Sequence, residues 1–222
     1  MNYIDIHSHH ESPAGILAIR NLINPDSAAS LVEQEEGYYS IGIHPWHIHP
    51  DHWKEDVESL RTLVNHPRVI AIGEAGLDRL VDLPISIQQD VFISMVELSE
   101  LAQKPLIVHA VRTHAEIAML HDSLKPKQKW IIHGFNNRQT IADALLSKGI
   151  CLSFGQAILH HNSPAGNVLE HLRQQDFFLE TDDKNISIQE IYSRAAIIRN
   201  VTEAELQQEI FNRFKKIFGY AG

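Results

Sequence analysis

The feature of the sequence that most clearly suggests chemistry is a group of histidines near its start. His7 and His9 close the segment YIDIHSH, and side chains two residues apart on a strand point to the same face. Both imidazoles can therefore approach one cation at about 2.0–2.1 Å, the usual zinc–nitrogen distance. His10 would point the other way, into solvent. The spacing predicts a metal site at the end of a first strand.

Further histidine and acidic side chains stand at or next to the ends of later apolar runs. These are His44, Glu74, His109, His133 and Asp182. One such histidine alone is more often a hydrogen-bonded structural residue, and Asp182 alone could be the N-cap of the next helix. Six metal-competent positions, counting His7, each at the same end of a different strand, instead predict one common site.

The elements that must position these side chains alternate between strand and helix. Eight short runs rich in β-branched and aromatic residues predict strands, and most are followed by segments with helical spacing. Ser86-x-x-Gln89 and Thr202-x-x-Glu205 have the capping-box pattern and predict two helix starts. The pattern predicts an α/β protein with a (β/α)8 TIM barrel, in which catalytic groups lie at the carboxyl ends of the strands.

The connection between the first two predicted strands does not fit a regular barrel. Between His7 and Gly15 there is too little chain for a crossover helix, since a parallel connection normally takes about a dozen residues or more. The second strand is therefore predicted to be antiparallel or irregular, with the barrel distorted and shortened around it. With no internal repeat or linker, residues 1–222 are predicted to form a single domain.

Composition and charge limit the function classes. The chain has 222 residues, 44% of them apolar, and a net charge of −9. This charge argues against a protein that coats nucleic acid with a broad basic face, but not against an enzyme that grips one phosphate through a metal. The single cysteine, Cys151, cannot form an internal disulfide. Without a signal-peptide pattern or a long apolar run, a cytoplasmic protein that does not contact membranes is expected.

The motifs that carry these residues also match a known family in their order. DIHSH, GIHPW, IGEAGLD, PLIVHA, IIHGF and LETDD resemble the successive signatures of the TatD family of metal-dependent hydrolases, within the amidohydrolase-like barrels. The resemblance spans Asp5 to Phe218. It implies a distorted TIM barrel, two divalent cations (Zn, Mn or Mg) and hydrolysis of phosphodiester bonds, commonly as a DNase. DNA or a small phosphodiester is then the expected substrate, and no obligate protein partner is evident.

The resemblance implies a ligand role for five of these residues. His7 and His9 would hold one cation. Glu74 would bridge both cations. His109 and His133 would hold the second.

It also implies roles in catalysis and substrate binding. Asp182 would touch the first cation and act as the base for the attacking water, while Asp78 would anchor the site. His44 would contact the substrate phosphate. Arg112 is a second candidate for such a contact, although it lies one position later than the arginine of the family, where this chain has Val111.

Three alternatives stay open. One is another amidohydrolase-type reaction, but many of those barrels bridge their metals through a carboxylated lysine, and Glu74 stands where that lysine is expected. Another is a phosphomonoesterase. The last is a non-catalytic metal-binding barrel, which the retained Asp182 disfavours because a degenerate site should lose its base first.

Trp46 and His47 follow the third predicted strand. They could stack on a nucleic-acid base, or they could anchor the loop, and the sequence leaves both possibilities open.

Overall fold

The computed structural model describes residues 3–11, 13–22, 28, 32, 37–172 and 177–220. Within these residues the chain forms eight β-strands, seven α-helices whose first and last residues are both described, and two short 3-10 helices. The strands are β1 (Tyr3–Ser8), β2 (Ile16–Leu22), β3 (Tyr38–Ile41), β4 (Val69–Asp78), β5 (Leu106–Val111), β6 (Trp130–Ile132), β7 (Cys151–Phe154) and β8 (Phe177–Leu179).

The helices follow the strands along the chain as predicted. They are α1 (Trp53–Leu63), α2 (Ile85–Ala102), α3 (His114–Leu124), α4 (Gln139–Leu146), α5 (Pro164–His171), α6 (Ile188–Arg199) and α7 (Glu203–Phe218), with 3-10 helices at Pro45–His47 and Gln156–Leu159. The helical spacing of the sequence predicts one of these helices from Gly166 to Arg173, and Arg173 lies outside the described residues. No helix in the described parts is long and apolar enough to cross a membrane.

The strand order in the sheet follows the chain order from β1 to β8. The pairings of β1 with β2, β3 with β4, β4 with β5, and β7 with β8 are parallel. With helices after most of the strands, this confirms the predicted α/β class and the (β/α)8 TIM-barrel fold. The chain divides into two compact units, the first Met1–Arg20 with Ile132–Gly222 and the second Asn21–Ile131. The single domain over residues 1–222 stays a prediction.

β2 is parallel to β1, so the antiparallel alternative is wrong. The predicted irregularity is present as a shift of register between Asp5 and Ser8. Six strand residues span about 17–20 Å and seven extended residues reach about 23–25 Å. The connection from residue 9 to residue 15 can therefore return without a helix, and its described part, which omits Ser12, forms none.

In the first unit, two helices hold β1 and β8 by polar contacts inside the core. The Tyr192 hydroxyl in α6 donates to the carbonyl of Ile4 at 3.1 Å and accepts its N–H at 3.2 Å. From α7, Arg213 donates to the carbonyl of Phe177 at 2.7 Å. Both side chains are buried, so these bonds position the strands where water cannot compete.

In the second unit, β4 is buried along almost its whole length and packs against α2. Gln88 in α2 accepts the Asp78 N–H at 2.8 Å and donates to the Asp78 carbonyl at 3.0 Å, which fixes the end of the strand. Gly76 allows β5 to lie close, since a Cβ at this position would stand 1.9 Å from the carbonyl oxygen of His109.

Of the two predicted capping boxes, one forms. Thr202 and Glu205 make both reciprocal bonds at the start of α7. α2 instead begins at Ile85, with Pro84 as N-cap and no side-chain cap, so Ser86 lies inside the first turn. The buried Gln88, which also donates to the Leu83 carbonyl at 3.0 Å, sets this earlier start.

We predict that Thr202→Ala lowers the free energy of unfolding by about 1 kcal/mol, because the N-cap bond is lost. Ser86→Ala, at an exposed position without a capping bond, should change it by less than about 0.5 kcal/mol. Urea denaturation of both variants measures this difference. Equal losses in the two would contradict the assignment of the cap.

Candidate metal centre

The ends of β1 and β8 are joined by backbone hydrogen bonds in the first unit. The N–H of Asp182 donates to the carbonyl of His7 at 2.9 Å, and the N–H of His9 donates to the carbonyl of Asp182 at 3.1 Å. Asp182 has φ of 58°, a left-handed conformation that aspartate tolerates better than most residues. This local turn places the Asp182 carboxylate against the histidines of β1.

Four of the predicted ligands meet at this junction. The Nε2 atoms of His7 and His9 each lie 3.5 Å from Asp182 Oδ1. The ring of His133, which follows β6, lies 4.5 Å from that of His7. Ligand atoms of His7, His133 and Asp182 all lie within 4.8 Å of one another. The structure therefore brings these residues together, although they come from three distant parts of the chain.

The environment of Asp182 favours its ionised form. Burial alone would raise the pKa of this carboxyl. The hydrogen bonds from His7 and His9, with the charge of His133, outweigh burial and hold the pKa of Asp182 well below its usual value. The Asp182 carboxylate is therefore ionised at neutral pH and places a negative charge beside the histidines.

Glu180 belongs to the same cluster and was missed by sequence reasoning. Its side chain is fully buried, and Oε1 accepts the N–H of Gly134 at 2.5 Å and lies 3.5 Å from Nδ1 of His133. Its other oxygen, Oε2, is buried without a hydrogen-bond partner among the described residues. The signal was present in the sequence, because Glu180 precedes Asp182 by two residues, the spacing that identified His7 and His9.

A cleft opens beside these carboxylates within the first unit. Its volume is about 290 Å³, and Glu180 and Asp182 form part of its lining. Further lining comes from polar side chains, those of Asn136, Gln156, His160 and Lys184. A polar ligand would therefore meet hydrogen-bond donors and acceptors directly beside the histidine and carboxylate cluster.

In the second unit, His44 follows β3, whereas Glu74 lies within β4 and His109 within β5 rather than at the predicted strand ends. Glu74 Oε1 lies 2.7 Å from His109 Nδ1 and 3.2 Å from His44 Nε2. The two imidazole nitrogens are 3.2 Å apart, and all three residues are less than 10% exposed. Their ligand atoms lie within 4.8 Å of one another. His44, predicted to contact substrate, thus shares a potential metal site with Glu74 and His109.

Asn21, at the end of β2, holds Glu74 in place. Its Oδ1 accepts the Glu74 N–H at 2.8 Å and the Ser40 hydroxyl at 3.1 Å, and its Nδ2 donates to Glu74 Oε2 at 3.4 Å. Asn21 is 4% exposed. Sequence analysis did not single it out, because an asparagine in an irregular strand carries no metal signature.

Asp78 anchors the cluster, in the position predicted for it. Its Oδ2 lies 3.2 Å from His109 Nε2 and accepts the indole N–H of Trp46 at 2.8 Å. Burial would raise the pKa of Asp78, but the bonds from the Leu80 N–H, Trp46 and His109 outweigh it and lower the pKa below its usual value. The anionic carboxylate therefore orients the His109 ring.

Two other predicted positions are exposed. Arg112 directly follows β5 with φ of 55°, and its proposed contact with a phosphate stays a prediction. His10 is exposed as expected, with its Nε2 lying 3.2 Å from the carbonyl oxygen of Asp183.

Both clusters fit a divalent cation by the chemistry of their donors. Each combines imidazole nitrogens with carboxylate oxygens that converge from different elements and are largely buried. Mixed nitrogen and oxygen ligands suit Zn²⁺ or Mn²⁺, and magnesium accepts them less readily. In the second unit, His109 also contacts the carboxylate of Asp78, a partner of the kind that metal-ligating histidines usually have.

Comparisons with known proteins indicate the family of the chain. A model of the TatD-related DNase family matches residues 19–219. The uncharacterized metal-dependent hydrolase YcfH of Escherichia coli (strain K12) is 24% identical over 220 residues, covering 92% of this chain and 79% of YcfH. The 3'-5' ssDNA/RNA exonuclease TatD of Edwardsiella piscicida is 29% identical over 166 residues, covering 72% of this chain and 63% of that protein.

Solved structures support the fold. The crystal structure of YjjV, a TatD homologue from Escherichia coli K12, has a TM-score of 0.84 at 21% identity and covers 98% of each chain. A TatD-family hydrolase from Entamoeba histolytica has a TM-score of 0.78 at 14% identity, again with 98% of each chain covered. At these identities the likeness establishes the fold alone.

We predict that Asp5→Asn flattens the dependence of stability on pH. Asp5 accepts the Thr181 N–H at 3.1 Å and its hydroxyl at 2.7 Å; burial raises the pKa of Asp5 to about 7, although these bonds lower it. Since the folded pKa lies above the unfolded one, about 3.9, the carboxyl loses stabilising effect as pH rises from about 4 to 7. Asparagine can keep both contacts with Thr181 and does not titrate.

The measurement is urea denaturation of both proteins in chelator between pH 5 and 8. The stability of the variant relative to the original chain should increase with pH, by up to about 1.4 kcal/mol per pH unit. Parallel profiles for the two proteins would show that Asp5 ionises normally.

Proposed function

The chain belongs to the family of TatD-related DNases, and on this basis we propose that it hydrolyses phosphodiester bonds of DNA with two divalent cations. It is a metal-dependent hydrolase by family. The observation that best supports the proposal is the convergence of His7, His133 and Asp182 within 4.8 Å, beside a polar cleft that Asp182 lines.

We assign the cations to the two clusters of donors. Ligands in the first unit are His7, His9, His133 and Asp182, which assigns His133 to the cation of His7 and not, as the resemblance implies, to that of His109. Those in the second are Glu74 and His109, with His44 beside them. The bridging role of Glu74 stays a prediction. A divalent cation supplies two effects when bound: it lowers the pKa of water towards neutrality and withdraws charge from the phosphoryl oxygens.

Asp182 is the proposed base. Its low pKa keeps it ionised at neutral pH, and its backbone bonds to β1 fix its carboxylate at the cluster. In the proposed reaction the water oxygen forms a bond to phosphorus, its proton passes to Asp182, and the bond from phosphorus to the leaving oxygen breaks. Glu180 positions the site by accepting the Gly134 N–H and lying against His133.

Nucleic acid is the proposed substrate class. One relative, from Edwardsiella piscicida, is named a 3'-5' ssDNA/RNA exonuclease, and the polar cleft at Asp182 offers Asn136, Gln156 and Lys184 to a phosphodiester. The net charge of −9 disfavours a long electrostatic track along a duplex. We therefore propose binding of a short single-stranded segment or a strand end, with His44 and Arg112 as phosphate contacts.

We predict that Asp182→Asn lowers kcat on bis-p-nitrophenyl phosphate by about 10²–10⁴-fold, because the proton acceptor is removed. Asp183→Asn is the matched control, since Asp183 is exposed and pairs with Lys184, and its turnover should stay near that of the original chain. Circular dichroism and metal content should accompany both assays. Near-normal turnover of Asp182→Asn with metal bound would exclude Asp182 as the base.

We also predict that EDTA abolishes hydrolysis and that Mn²⁺, Zn²⁺ or Mg²⁺ restores it, because the ligands alone do not activate water. The diester bis-p-nitrophenyl phosphate should be hydrolysed faster than the monoester p-nitrophenyl phosphate.

Preference for the monoester would favour the phosphomonoesterase. Activity on amides or lactones alone would favour another amidohydrolase-type reaction. Activity indifferent to EDTA would contradict the scheme, and bound metal without turnover on any of these would favour the non-catalytic barrel.

A further inference from the structure

Trp46 is unusual among the aromatic side chains of the protein. It is 67% exposed, whereas all other aromatic side chains in the described residues are buried or partly buried. Single exposed apolar side chains are common on protein surfaces, so exposure alone assigns no role to Trp46.

The ring is nevertheless held in one orientation. Its Nε1–H donates to Oδ2 of the buried Asp78 at 2.8 Å, and its backbone N–H donates to Nδ1 of His44 at 3.1 Å. It lies in the 3-10 helix Pro45–His47, with proline at the first position. A ring that is fixed at both backbone and side chain loses little conformational freedom when a ligand covers it.

The contacts that fix the ring belong to the second-unit cluster. Asp78 lies 3.2 Å from His109 Nε2, and the ring of His44 stands edge-on to that of Trp46 at 5.3 Å. The other oxygen of Asp78 accepts the backbone N–H of Leu80, whose side chain is 64% exposed. Asp78, which contacts His109, therefore also holds two residues with exposed apolar side chains, Trp46 and Leu80.

We infer that Trp46 is a stacking platform for a nucleobase of the substrate, beside the second-unit cluster. This rests on the proposed function, because a phosphate of the substrate must bind at the second-unit cluster for its base to reach the indole. Stacking on an aromatic ring tolerates any base and contributes about 1–3 kcal/mol per base, without requiring positive charge. It suits a protein with a net charge of −9.

The test compares Mn²⁺-loaded protein binding to two single-stranded probes with hydrolysis-resistant phosphorothioate linkages: a thymidine pentamer and the same pentamer without bases. Labelled-probe anisotropy gives the affinities. Trp46→Ala should weaken binding of the thymidine pentamer by roughly 5- to 100-fold and leave the affinity for the abasic pentamer unchanged. Trp46→Phe, which keeps a ring, should retain most of the affinity.

Fluorescence gives a readout that a purely structural role would not produce. The thymidine pentamer should quench tryptophan emission in the original chain and in Trp53→Phe, the matched control at a half-buried position, but not in Trp46→Phe. The abasic pentamer should not quench.

The inference is overturned if Trp46→Ala binds the thymidine pentamer with normal affinity, or if the substitution weakens binding of both pentamers equally. It is also overturned if the original chain binds the thymidine pentamer no more tightly than the abasic pentamer. Hydrolysis of bis-p-nitrophenyl phosphate by the same preparation separates the two claims. If it persists, only the stacking inference fails; if metal-dependent hydrolysis is also absent, the proposed function fails as well.

Discussion

The site in the first unit depends on the register between the ends of β1 and β8. Two backbone bonds between His7, His9 and Asp182 set the distance from the carboxylate to both imidazoles. Below them the buried Asp5 accepts two bonds from Thr181, so the strands cannot slide without leaving buried polar groups unpaired. Because Thr181 is flanked by Glu180 and Asp182, the same register also aims Glu180 at His133.

The second unit reaches a similar arrangement by other means. Gly76 lets β5 approach β4 closely enough for His109 to meet Glu74. Asn21 holds the backbone and side chain of Glu74, and Asp78 holds His109 from the other side. In both units a carboxylate outside the predicted ligand set orients a histidine, Glu180 at His133 and Asp78 at His109. This outer layer of contacts sets ring orientation and is where small changes of geometry should affect activity most.

Much of this could be predicted from pattern alone. The fold class followed from eight predicted strands, most of them followed by a helical segment. The grouping of His7, His9, His133 and Asp182 followed from parallel strands ending at one edge. The direction of β2 could not be predicted, because a connection of seven residues looks the same in sequence whether it leads into a parallel or an antiparallel strand. The predicted cap at Ser86 was wrong, because Gln88, which is buried against Asp78, decides where α2 begins.

The sequence by itself determined which chemistry is available, because the types of donor atom in the side chains define the ions they can bind. Packing does not change the type of donor that a residue offers. Only the tertiary structure decided which donors share an ion site and which residues aim them. The hydrogen bonds of Glu180 and Asn21, and the exposed but fixed position of Trp46, became visible only there. The physical reason is that side-chain orientation depends on hydrogen bonds between residues distant in the chain, and local spacing carries no record of those partners.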